Sequence, residues 1–351
     1  MTEAMTGRAQ ATQEATHEAT QRMGGLLAGY RVTQMLHVAA RLGLADALAG
    51  GPMAVDALAR AAGCDAVALF RLLRALAPIG VFAERDDGRF ETTALADTLR
   101  SDAPGSLRPQ ALTYGEPWWW GAYGELLHCV RTGGNGFEQA CGMPLFDYLG
   151  RHPDAARVFN DNMSAMTAAE AEAVAAAADL GGLRLLADIG GGHGTLAAAI
   201  LRRRPAARAL LFDQPSVIAG APAALARLGI AERCDLVAGD FFASVPAGAD
   251  VYLLKDILHD WDDAQAVAIL RQVREAMREG ARLLVVERII PPGNAPFAGK
   301  DVDITMMVML GGRERTEAEY RQLLDAAGLT VARIVPTAVP SSVIEAVRSA
   351  D

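Results

Sequence analysis

The pattern of apolar and polar positions divides the chain into a helical N-terminal part and a C-terminal part in which short apolar runs alternate with amphipathic segments. Apolar side chains recur at helical spacing over residues 26–48, which predicts an amphipathic helix that needs a partner surface. Residues 54–93 predict two short helices and a hairpin across Asp86-Asp87-Gly88, the order of a winged helix. From Leu183 onward the pattern predicts an α/β fold, a doubly wound sheet that an antiparallel pair at 329–335 and 343–347 completes to seven strands.

Three glycines at alternate positions end the first apolar run of the C-terminal part. The segment Asp188-Ile-Gly-Gly-Gly-His-Gly194 leads from a buried strand into a helix that begins at Thr195. Such a turn lets the backbone approach a ligand and directs the free N–H groups of the helix start towards it. The spacing is not that of the dinucleotide motif G-x-G-x-x-G, because Thr195 stands where the third glycine should be. The segment therefore indicates a site for a nucleotide-like ligand, with a tight turn that binds nothing as the alternative.

Polar side chains also follow the next three predicted strands. Asp213 ends the second strand, 19 residues beyond Gly194, where a carboxylate can accept both ribose hydroxyls of an adenosine. Asp240 and Phe241 follow the third strand, and a carboxylate beside an aromatic ring suits the exocyclic amine and the stacking face of adenine. Lys255 ends the fourth strand. Since open α/β sheets bind ligands at the carboxyl ends of their strands, we expect these side chains to line one site.

One set of segments carries a family resemblance. It comprises the glycine turn, Phe212-Asp-Gln-Pro215, Gly239-Asp-Phe-Phe242, Lys255-Asp-Ile-Leu-His-Asp-Trp-Asp-Asp263 and Gly311-Gly-Arg-Glu-Arg-Thr-Glu-Ala-Glu-Tyr320. The set is similar to the class I S-adenosylmethionine-dependent O-methyltransferases, of the plant caffeate and flavonoid type and its bacterial small-molecule relatives, over roughly residues 25–348.

This resemblance implies a fold, a cofactor and an acceptor. The fold is a Rossmann-like methyltransferase domain preceded by a winged-helix domain that forms a homodimer. The cofactor is S-adenosyl-L-methionine, the product is S-adenosyl-L-homocysteine, and the acceptor is an aromatic small molecule that is methylated on a hydroxyl. The implied cofactor-binding residues are Asp188, Gly190, Gly192, Thr167, Asp213, Asp240, Phe241 and Lys255.

Methyl transfer to a hydroxyl also requires that the acceptor lose its proton. A phenol has a pKa of about 10, so its neutral form is a poor nucleophile at pH 7, and a neutral histidine can take its proton. His259 follows the fourth strand, and Glu287 ends the next strand and therefore lies beside it. In the resembling enzymes the matching histidine is the general base, flanked by glutamates that match Glu287 and Glu314. The alternative is that both glutamates form structural salt bridges with Arg288 or Arg315. We expect the rate to fall as the pH drops through roughly 6.5, or through a higher value that the glutamates impose.

Residues 101–165 are rich in aromatic side chains, methionine and glycine. Such residues suit a pocket for a flat organic ligand, although they more often form only core. In the resembling family the residues that match Phe159 and Met163 sandwich an aromatic acceptor. We assign Met309 and Asp260 to the acceptor side of the site as well. No carboxylate cluster in the sequence resembles the magnesium site of catechol-type methyltransferases, so we expect no metal.

Composition limits the partners and the compartment. The formal net charge of −9 argues against a nucleic acid as partner. The four cysteines are scattered, and the sequence contains no signal-peptide pattern and no apolar run of membrane-spanning length. We therefore expect a cytoplasmic protein with reduced thiols and no membrane association.

These observations predict four regions and leave three alternative functions open. The regions are a flexible N-terminus (1–20), a winged-helix-like dimerisation domain (21–110), a helical linker and acceptor-pocket region (111–180) and an S-adenosylmethionine-binding methyltransferase domain (181–351). One alternative is a family member that binds the cofactor but hydroxylates or decarboxylates a polycyclic aromatic. The second is a non-catalytic dimeric ligand-binding regulator. The third is an NAD-dependent dehydrogenase, which would leave the segments around His259 and Glu314 unexplained.

Overall fold

The computed structural model describes residues 2–349, with side chains from Thr16 onward, and divides into two compact units, Met1–Glu116 and Pro117–Asp351. A flexible segment was expected over residues 1–20, and the part of it before Thr16 has no described side chains. The helices of the first unit are α1 (Thr2–Arg41), α2 (Leu44–Leu48), α3 (Val55–Ala62), α4 (Ala66–Leu76), α5 (Ala94–Asp97) and α6 (Arg108–Tyr114). Its strands are β1 (Met53–Ala54), β2 (Phe82–Glu84) and β3 (Arg89–Thr92).

The first unit contains the predicted winged-helix pattern. The hairpin is confirmed, because β2 and β3 pair antiparallel with Phe82 opposite Thr92, and β1 adds a third strand along β3. The helix predicted over 26–48 is two helices, since Gly43 adopts a left-handed conformation (φ 63°) between α1 and α2. Helix α1 exposes four large apolar side chains, those of Met23, Leu26, Leu27 and Tyr30.

The second unit contains helices that precede a mixed sheet. Its first helices are α7 (Pro117–Gly124), α8 (Leu126–Thr132), α9 (Gly136–Cys141), α10 (Leu145–Arg151) and α11 (Pro153–Ala177). The strands that follow are β4 (Leu185–Ile189), β5 (Arg208–Asp213), β6 (Cys234–Ala238), β7 (Val251–Lys255), β8 (Arg282–Arg288), β9 (Leu329–Pro336) and β10 (Ser341–Arg348). The helices among them are α12 (Thr195–Arg203), α13 (Pro215–Ile218), α14 (Ala221–Leu228), α15 (Asp263–Ala276), α16 (Gly299–Met309) and α17 (Glu317–Ala326).

The predicted seven-stranded sheet is confirmed, with the strand order β6-β5-β4-β7-β8-β10-β9. Strands β4 to β8 run parallel, and β10 is antiparallel to both β8 and β9. The inner strands are almost entirely buried because helices cover both faces, which explains their continuous apolar runs. The strand order reverses between β4 and β7, so the carboxyl ends of these two strands flank the crevice where such sheets bind ligands.

Two helices differ from their predicted bounds. The helix predicted over 168–178 is the C-terminal half of α11, a single helix of 25 residues. It stays unbroken because no glycine or proline follows Pro153 within it. The acceptor-side residues Phe159 and Met163 therefore lie on the same rigid element as residues 168–177. Helix α15 begins directly after the predicted cap, Asp262. It ends at Ala276, before the predicted stop at Gly280, because Met277 is extended and its side chain is buried.

Within the described part of the chain, we find no helix that combines the length and the apolar character needed to cross a membrane.

Candidate active site

A buried histidine among carboxylates lies beyond the carboxyl end of β7. Nδ1 of His259 donates a hydrogen bond to Oε1 of Glu314 at 2.8 Å and lies 3.5 Å from Oε2 of Glu287. Nε2, on the other side of the ring, lies 3.3 Å from Oδ1 of Asp260. His259 is 5% exposed, and both glutamates are buried. The fold thus brings together the three residues predicted to be catalytic, together with one residue predicted to bind the acceptor.

Glu287 holds the histidine segment through the backbone. Its Oε1 accepts hydrogen bonds from the N–H groups of Ile257, Leu258 and His259, at 3.1, 2.9 and 3.4 Å. These donors belong to the start of a short 3-10 turn over Leu258–Asp260. A carboxylate at the orphan N–H groups of a helical turn is stabilised by hydrogen bonding and by the local dipole. Glu287 therefore fixes the position of the His259 backbone, while Glu314 fixes the orientation of the ring.

The loop that carries Glu314 packs directly against the histidine segment. The backbone N–H of Arg313 donates to the carbonyl oxygen of His259 at 2.9 Å, and a Cβ on Gly312 would lie 2.0 Å from that oxygen. The carbonyl of Arg315 accepts from the N–H of Ile290, so this loop continues beside the end of β8. The position of Gly312 accordingly requires the absence of a side chain.

Arg315 connects the same two segments through its side chain. Its guanidinium, which is fully buried, donates to the carbonyl oxygens of Leu258 at 2.7 Å and Trp261 at 2.8 Å. It also pairs with Asp263, the first residue of α15. Arg315 forms no ion pair with Glu287 or Glu314 in the described part of the chain, whereas Arg288 lies 3.9 Å from Glu314, so the salt-bridge alternative holds in part for that glutamate. Arg315 clamps the backbone on both sides of His259.

Burial and mutual charge change the protonation of this cluster. Burial would lower the pKa of His259, but the charges of Glu287, Asp260 and Glu314 outweigh it and raise the pKa to about 10. Burial raises the pKa of Asp260 to about 7, against the opposing effect of His259. Burial also raises the pKa of Glu287 to about 7, again opposed by His259. The pKa of His259 therefore lies well above the ordinary value of about 6.5.

A second group of buried charges lies beside the cluster and includes residues that the sequence analysis did not assign to the site. Lys255 forms ion pairs with Asp256 and, at 3.3 Å, with Glu170 of α11. Arg288 pairs with Asp256 at 3.0 Å and with Glu170 at 3.5 Å, and its Nη1 lies 3.9 Å from Oε1 of Glu314. Burial opposes ionisation of Asp256, but Lys255 and Arg288 hold its pKa well below the usual range.

These ion pairs define the role that Lys255 can have. Its ammonium group is buried between two carboxylates, so it is already neutralised by the chain. Asp256 has φ 52°, a conformation that is costly for a residue other than glycine and that persists where its surroundings hold it in place. The sequence signal that could have identified the pair is the adjacency of opposite charges, Lys255-Asp256 and Glu287-Arg288, at two neighbouring strand ends.

Asp256, His259 and Glu287 each have a potential metal-ligand atom within 4.8 Å of the others. The charges that such a site would offer to a cation are already engaged within the chain. Asp256 is neutralised by Lys255 and Arg288, and Glu287 accepts backbone hydrogen bonds. The expectation of no metal stays a prediction.

The glycine turn lies beside β5 and β7 in the crevice where the strand order reverses. Gly190, Gly192 and Gly194 have φ values of 68°, 58° and 80°, and a Cβ on Gly190 would lie 2.4 Å from Cδ1 of Ile257. Asp213 accepts hydrogen bonds from the N–H of Gly192 at 2.9 Å and from its own neighbour, Gln214, at 2.7 Å. The turn therefore needs glycine both for its backbone conformation and for close approach.

The other residues predicted to bind the cofactor differ in their surroundings. Asp188 is buried, and its Oδ2 has no hydrogen-bond partner among the described residues. Burial and the charge of Asp213 raise the pKa of Asp188 to about 7. Oδ1 of Asp240 accepts from the N–H of Phe242 at 2.9 Å. The half-buried Phe241 lies beside the glycine turn, with Cε1 3.8 Å from where a Cβ of Gly190 would be, while Thr167 is half-buried on α11.

The acceptor-side residues lie on two helices and on the histidine segment. Phe159 and Met163 are half-buried on α11, and Met309 is buried at the end of α16, ahead of the loop that carries Glu314. An aromatic path connects α11 with the histidine segment. The ring of Phe146 lies 6.4 Å from that of Phe159 and is stacked at 6.1 Å with Trp261.

Comparison with known proteins assigns the chain to a family. Residues 25–102 match the O-methyltransferase dimerisation domain, and residues 123–330 match the O-methyltransferase domain. The chain is 46% identical to the phenazine O-methyltransferase of Lysobacter antibioticus over 92% of this chain and 94% of that protein. It is 36% identical to the 8-amino-8-demethylriboflavin N,N-dimethyltransferase of Streptomyces davaonensis over 96% and 98% of the two chains.

One solved structure resembles this chain over nearly its whole length. The O-methyltransferase from neocarzinostatin biosynthesis, solved in complex with S-adenosylmethionine and 2-hydroxy-5-methyl naphthoic acid, superposes with a TM-score of 0.79 at 32% identity. The match covers 90% of this chain and 96% of that one. These relatives give no support to hydroxylation, decarboxylation, hydride transfer or a purely regulatory role. The chain is therefore an enzyme of the O-methyltransferase family.

Proposed function

We propose that the enzyme transfers the methyl group of S-adenosyl-L-methionine to a phenolic hydroxyl of an aromatic small molecule, with His259 as the general base and S-adenosyl-L-homocysteine as the product. The observation that carries this proposal is the buried hydrogen bond from Nδ1 of His259 to Glu314. It directs Nε2 away from the glutamates and makes that nitrogen the proton-exchanging atom. The sulfonium cofactor supplies an already activated methyl group, so the chain has to bind, align and deprotonate the acceptor.

The residues at the glycine turn fit an adenosine-containing cofactor. Gly190 and Gly192 give the backbone its close approach, and Asp213 retains acceptor capacity for hydroxyl groups beyond its two backbone bonds. Asp188 carries a buried carboxylate oxygen without a partner among the described residues, which suits a polar or cationic ligand group. Asp240 and Phe241 contribute the carboxylate and the ring that we assign to adenine. Lys255 contributes to the cofactor site only indirectly, since its ammonium group is paired with the carboxylates of Glu170 and Asp256.

The proton path follows from the protonation of the cluster. At neutral pH, His259 with a pKa of about 10 is protonated in the free enzyme and cannot accept a proton. Asp260 lies 3.3 Å from Nε2 and, with its lower pKa of about 7, stabilises the imidazolium, so the neutral imidazole forms when Nε2 loses its proton to solvent as the pH rises towards 10. The acceptor hydroxyl then donates its proton to Nε2. The imidazolium that forms is stabilised by Glu314 and Glu287.

This base also supports oxygen over nitrogen as the methylated atom. A neutral arylamine already has a free lone pair, whereas a phenol gains nucleophilicity from loss of its proton. A sharp test supplies methyl-labelled S-adenosylmethionine with 1-naphthol or with 1-naphthylamine and follows both products. We expect transfer to naphthol, a loss of about 10²–10⁴-fold in His259→Ala and no loss in His17→Ala, an exposed histidine on α1. Preferred transfer to the amine, or near-wild-type naphthol turnover in His259→Ala, would overturn the proposal.

We also propose that the enzyme acts as a homodimer formed through its first unit. The family match to a dimerisation domain covers residues 25–102, and the N-terminal helix has exposed apolar side chains in the same region. An apolar stripe on a long helix is stabilised when a second surface covers it. The second copy of the chain is the partner that this match supports.

A further inference from the structure

Asn162 combines deep burial with the absence of any hydrogen-bond partner. It lies on α11 and is 1% exposed, and neither its Nδ2 nor its Oδ1 forms a hydrogen bond within the described part of the chain. Glu170, two turns further along the same helix, shows the usual behaviour of a buried polar group, with Lys255, Arg288 and Ser341 as partners. Buried amides in folded proteins are almost always satisfied, so an orphaned one points to a missing partner.

The helix itself cannot satisfy this amide. The backbone groups of residues inside α11 already pair with each other, and an apolar side chain of similar shape would fill the same space without the cost of desolvation. The presence of an amide at this position is therefore explained by a group that arrives from outside the fold.

The position of Asn162 indicates which ligand this is. It lies three residues beyond Phe159, so the two side chains are neighbours on one face of the helix that we assign to the acceptor side. From Phe159 the aromatic path continues through Phe146 to Trp261, two residues after His259. Nε1 of Trp261 is a second buried donor without a partner among the described residues. One unsatisfied donor and one unsatisfied acceptor thus lie on α11, and a second unsatisfied donor lies on the segment that carries the proposed base.

We propose that Asn162 is a specificity-determining residue that binds a polar substituent of the acceptor, distinct from the hydroxyl that is methylated. An amide presents a donor and an acceptor side by side, so it pairs best with a neutral, planar edge of the same kind. The favoured acceptors are then aromatics with a carboxamide, a ring lactam or an equivalent donor–acceptor edge. Both the donor and the acceptor atom of the amide lack a partner among the described residues, and an edge that offers one acceptor and one donor satisfies both, whereas a carboxylate satisfies only the donor. This inference rests on the proposed methyl transfer and refines its substrate class.

A paired-acceptor experiment tests the selectivity. Hydroxynaphthalenes are supplied in pairs that differ only in a carboxamide or a methyl group at one ring position, such as 3-hydroxy-2-naphthamide and 3-methyl-2-naphthol, with the position varied around the ring. For the position that reaches Asn162, we expect the wild-type enzyme to prefer the amide by about tenfold or more in kcat/KM. Asn162→Leu should lower this ratio to about one and retain turnover of the methyl compound. Asn160→Leu, a half-buried amide on the same helix, is the matched control and should keep the ratio.

A stability measurement decides the inference independently of any acceptor. Without ligands, removal of an unsatisfied amide should raise the melting temperature by about 2–4 °C in Asn162→Leu or in the smaller Asn162→Ala, which cannot be overpacked. The inference is overturned if both variants melt below the wild type, or if Asn162→Leu keeps the amide preference. No transfer to any hydroxynaphthalene by the wild type would instead count against the proposed function, and the melting temperatures would still decide the role of Asn162.

Discussion

Nδ1 of His259 lies 2.8 Å from Oε1 of Glu314, although 55 residues separate the two along the chain. The contact exists because the loop after α16 returns along the end of β8, where the N–H of Ile290 bonds to the carbonyl of Arg315. Glu314 has two separable effects on the ring. It accepts a hydrogen bond from Nδ1, which fixes the orientation of the ring, and its charge helps to raise the pKa of His259 to about 10.

Glu314→Gln and Glu314→Ala should separate these two effects. Glutamine keeps an acceptor oxygen but removes the charge, so the pKa of His259 should fall, and the low-pH limb of kcat/KM should move to lower pH. Alanine also removes the hydrogen bond and should lose a further factor of roughly ten to a hundred in kcat. The measurement is a pH–rate profile for each variant between pH 6 and 10. Profiles with the same midpoint in the wild type and in Glu314→Gln would contradict the role of the charge.

Gly312 is predicted to be essential for the geometry around His259. A Cβ at this position would lie 2.0 Å from the His259 carbonyl oxygen, a distance that no rotamer change can relieve because the opposing atom is backbone. We expect Gly312→Ala to displace the loop and to lose at least about tenfold in kcat. Gly150→Ala is the control, because that glycine lies in α10 with open space around it. Equal activities of the two variants would show that the loop position does not matter.

The sheet, and Glu287 beside His259, could be predicted from local patterns, whereas Glu314 was assigned to the histidine only through the family resemblance. Apolar runs that end in Asp188, Asp213 or Lys255 specify buried parallel strands, and parallel strands bring their carboxyl ends to one edge. The roles of Glu170 and Arg315 could not be predicted in this way. Glu170 reaches Lys255 from a helix 85 positions earlier, and Arg315 binds carbonyl oxygens that have no signature in a sequence.

The protonation of His259 was also beyond the reach of sequence alone. An isolated histidine predicts a midpoint near 6.5, whereas the folded cluster places two glutamates and Asp260 around one buried ring. Charges at these distances act strongly because burial removes the solvent that would screen them. The pKa depends on the packing of three separate segments, and that packing is a tertiary property.

Asp213→Ala should weaken cofactor binding. The side chain accepts the N–H of Gly192 and is the proposed partner of the ribose hydroxyls, so its loss affects both the turn and the ligand. Charge-assisted hydrogen bonds contribute roughly 1.5–3 kcal/mol, which corresponds to a tenfold to hundredfold loss of affinity for S-adenosylmethionine by calorimetry. Asp235→Ala, at the exposed other end of the neighbouring strand β6, is the matched control and should bind normally. Unchanged affinity in Asp213→Ala would remove this residue from the site.

Asp188 should make the protein less stable as the pH rises from about 4 to 7. Burial and the charge of Asp213 raise its pKa from 3.8 to about 7, so in this range the folded state holds a proton that the unfolded state has released. The free energy of unfolding therefore decreases with pH, by up to about 4 kcal/mol from this group. Asp188→Asn cannot titrate and should match the wild type near pH 4 but melt higher at pH 8. Melting temperatures that run parallel in the two proteins would contradict this assignment.

The exposed apolar face of α1 should hold two copies of the chain together. Leu26 and Leu27 are 68% and 71% exposed, although burial of each leucine would contribute roughly 1.5–3 kcal/mol. In a dimer each side chain counts twice, so glutamate at both positions removes apolar burial and adds four like charges to the interface. We expect light scattering at micromolar concentration to give a dimer for the wild type and a monomer for the Leu26→Glu, Leu27→Glu variant. Leu127→Glu, which changes a similarly exposed leucine of the second unit, should stay dimeric. A monomeric wild type would refute dimerisation outright, and a dimeric double variant would place the interface on another surface of the first unit.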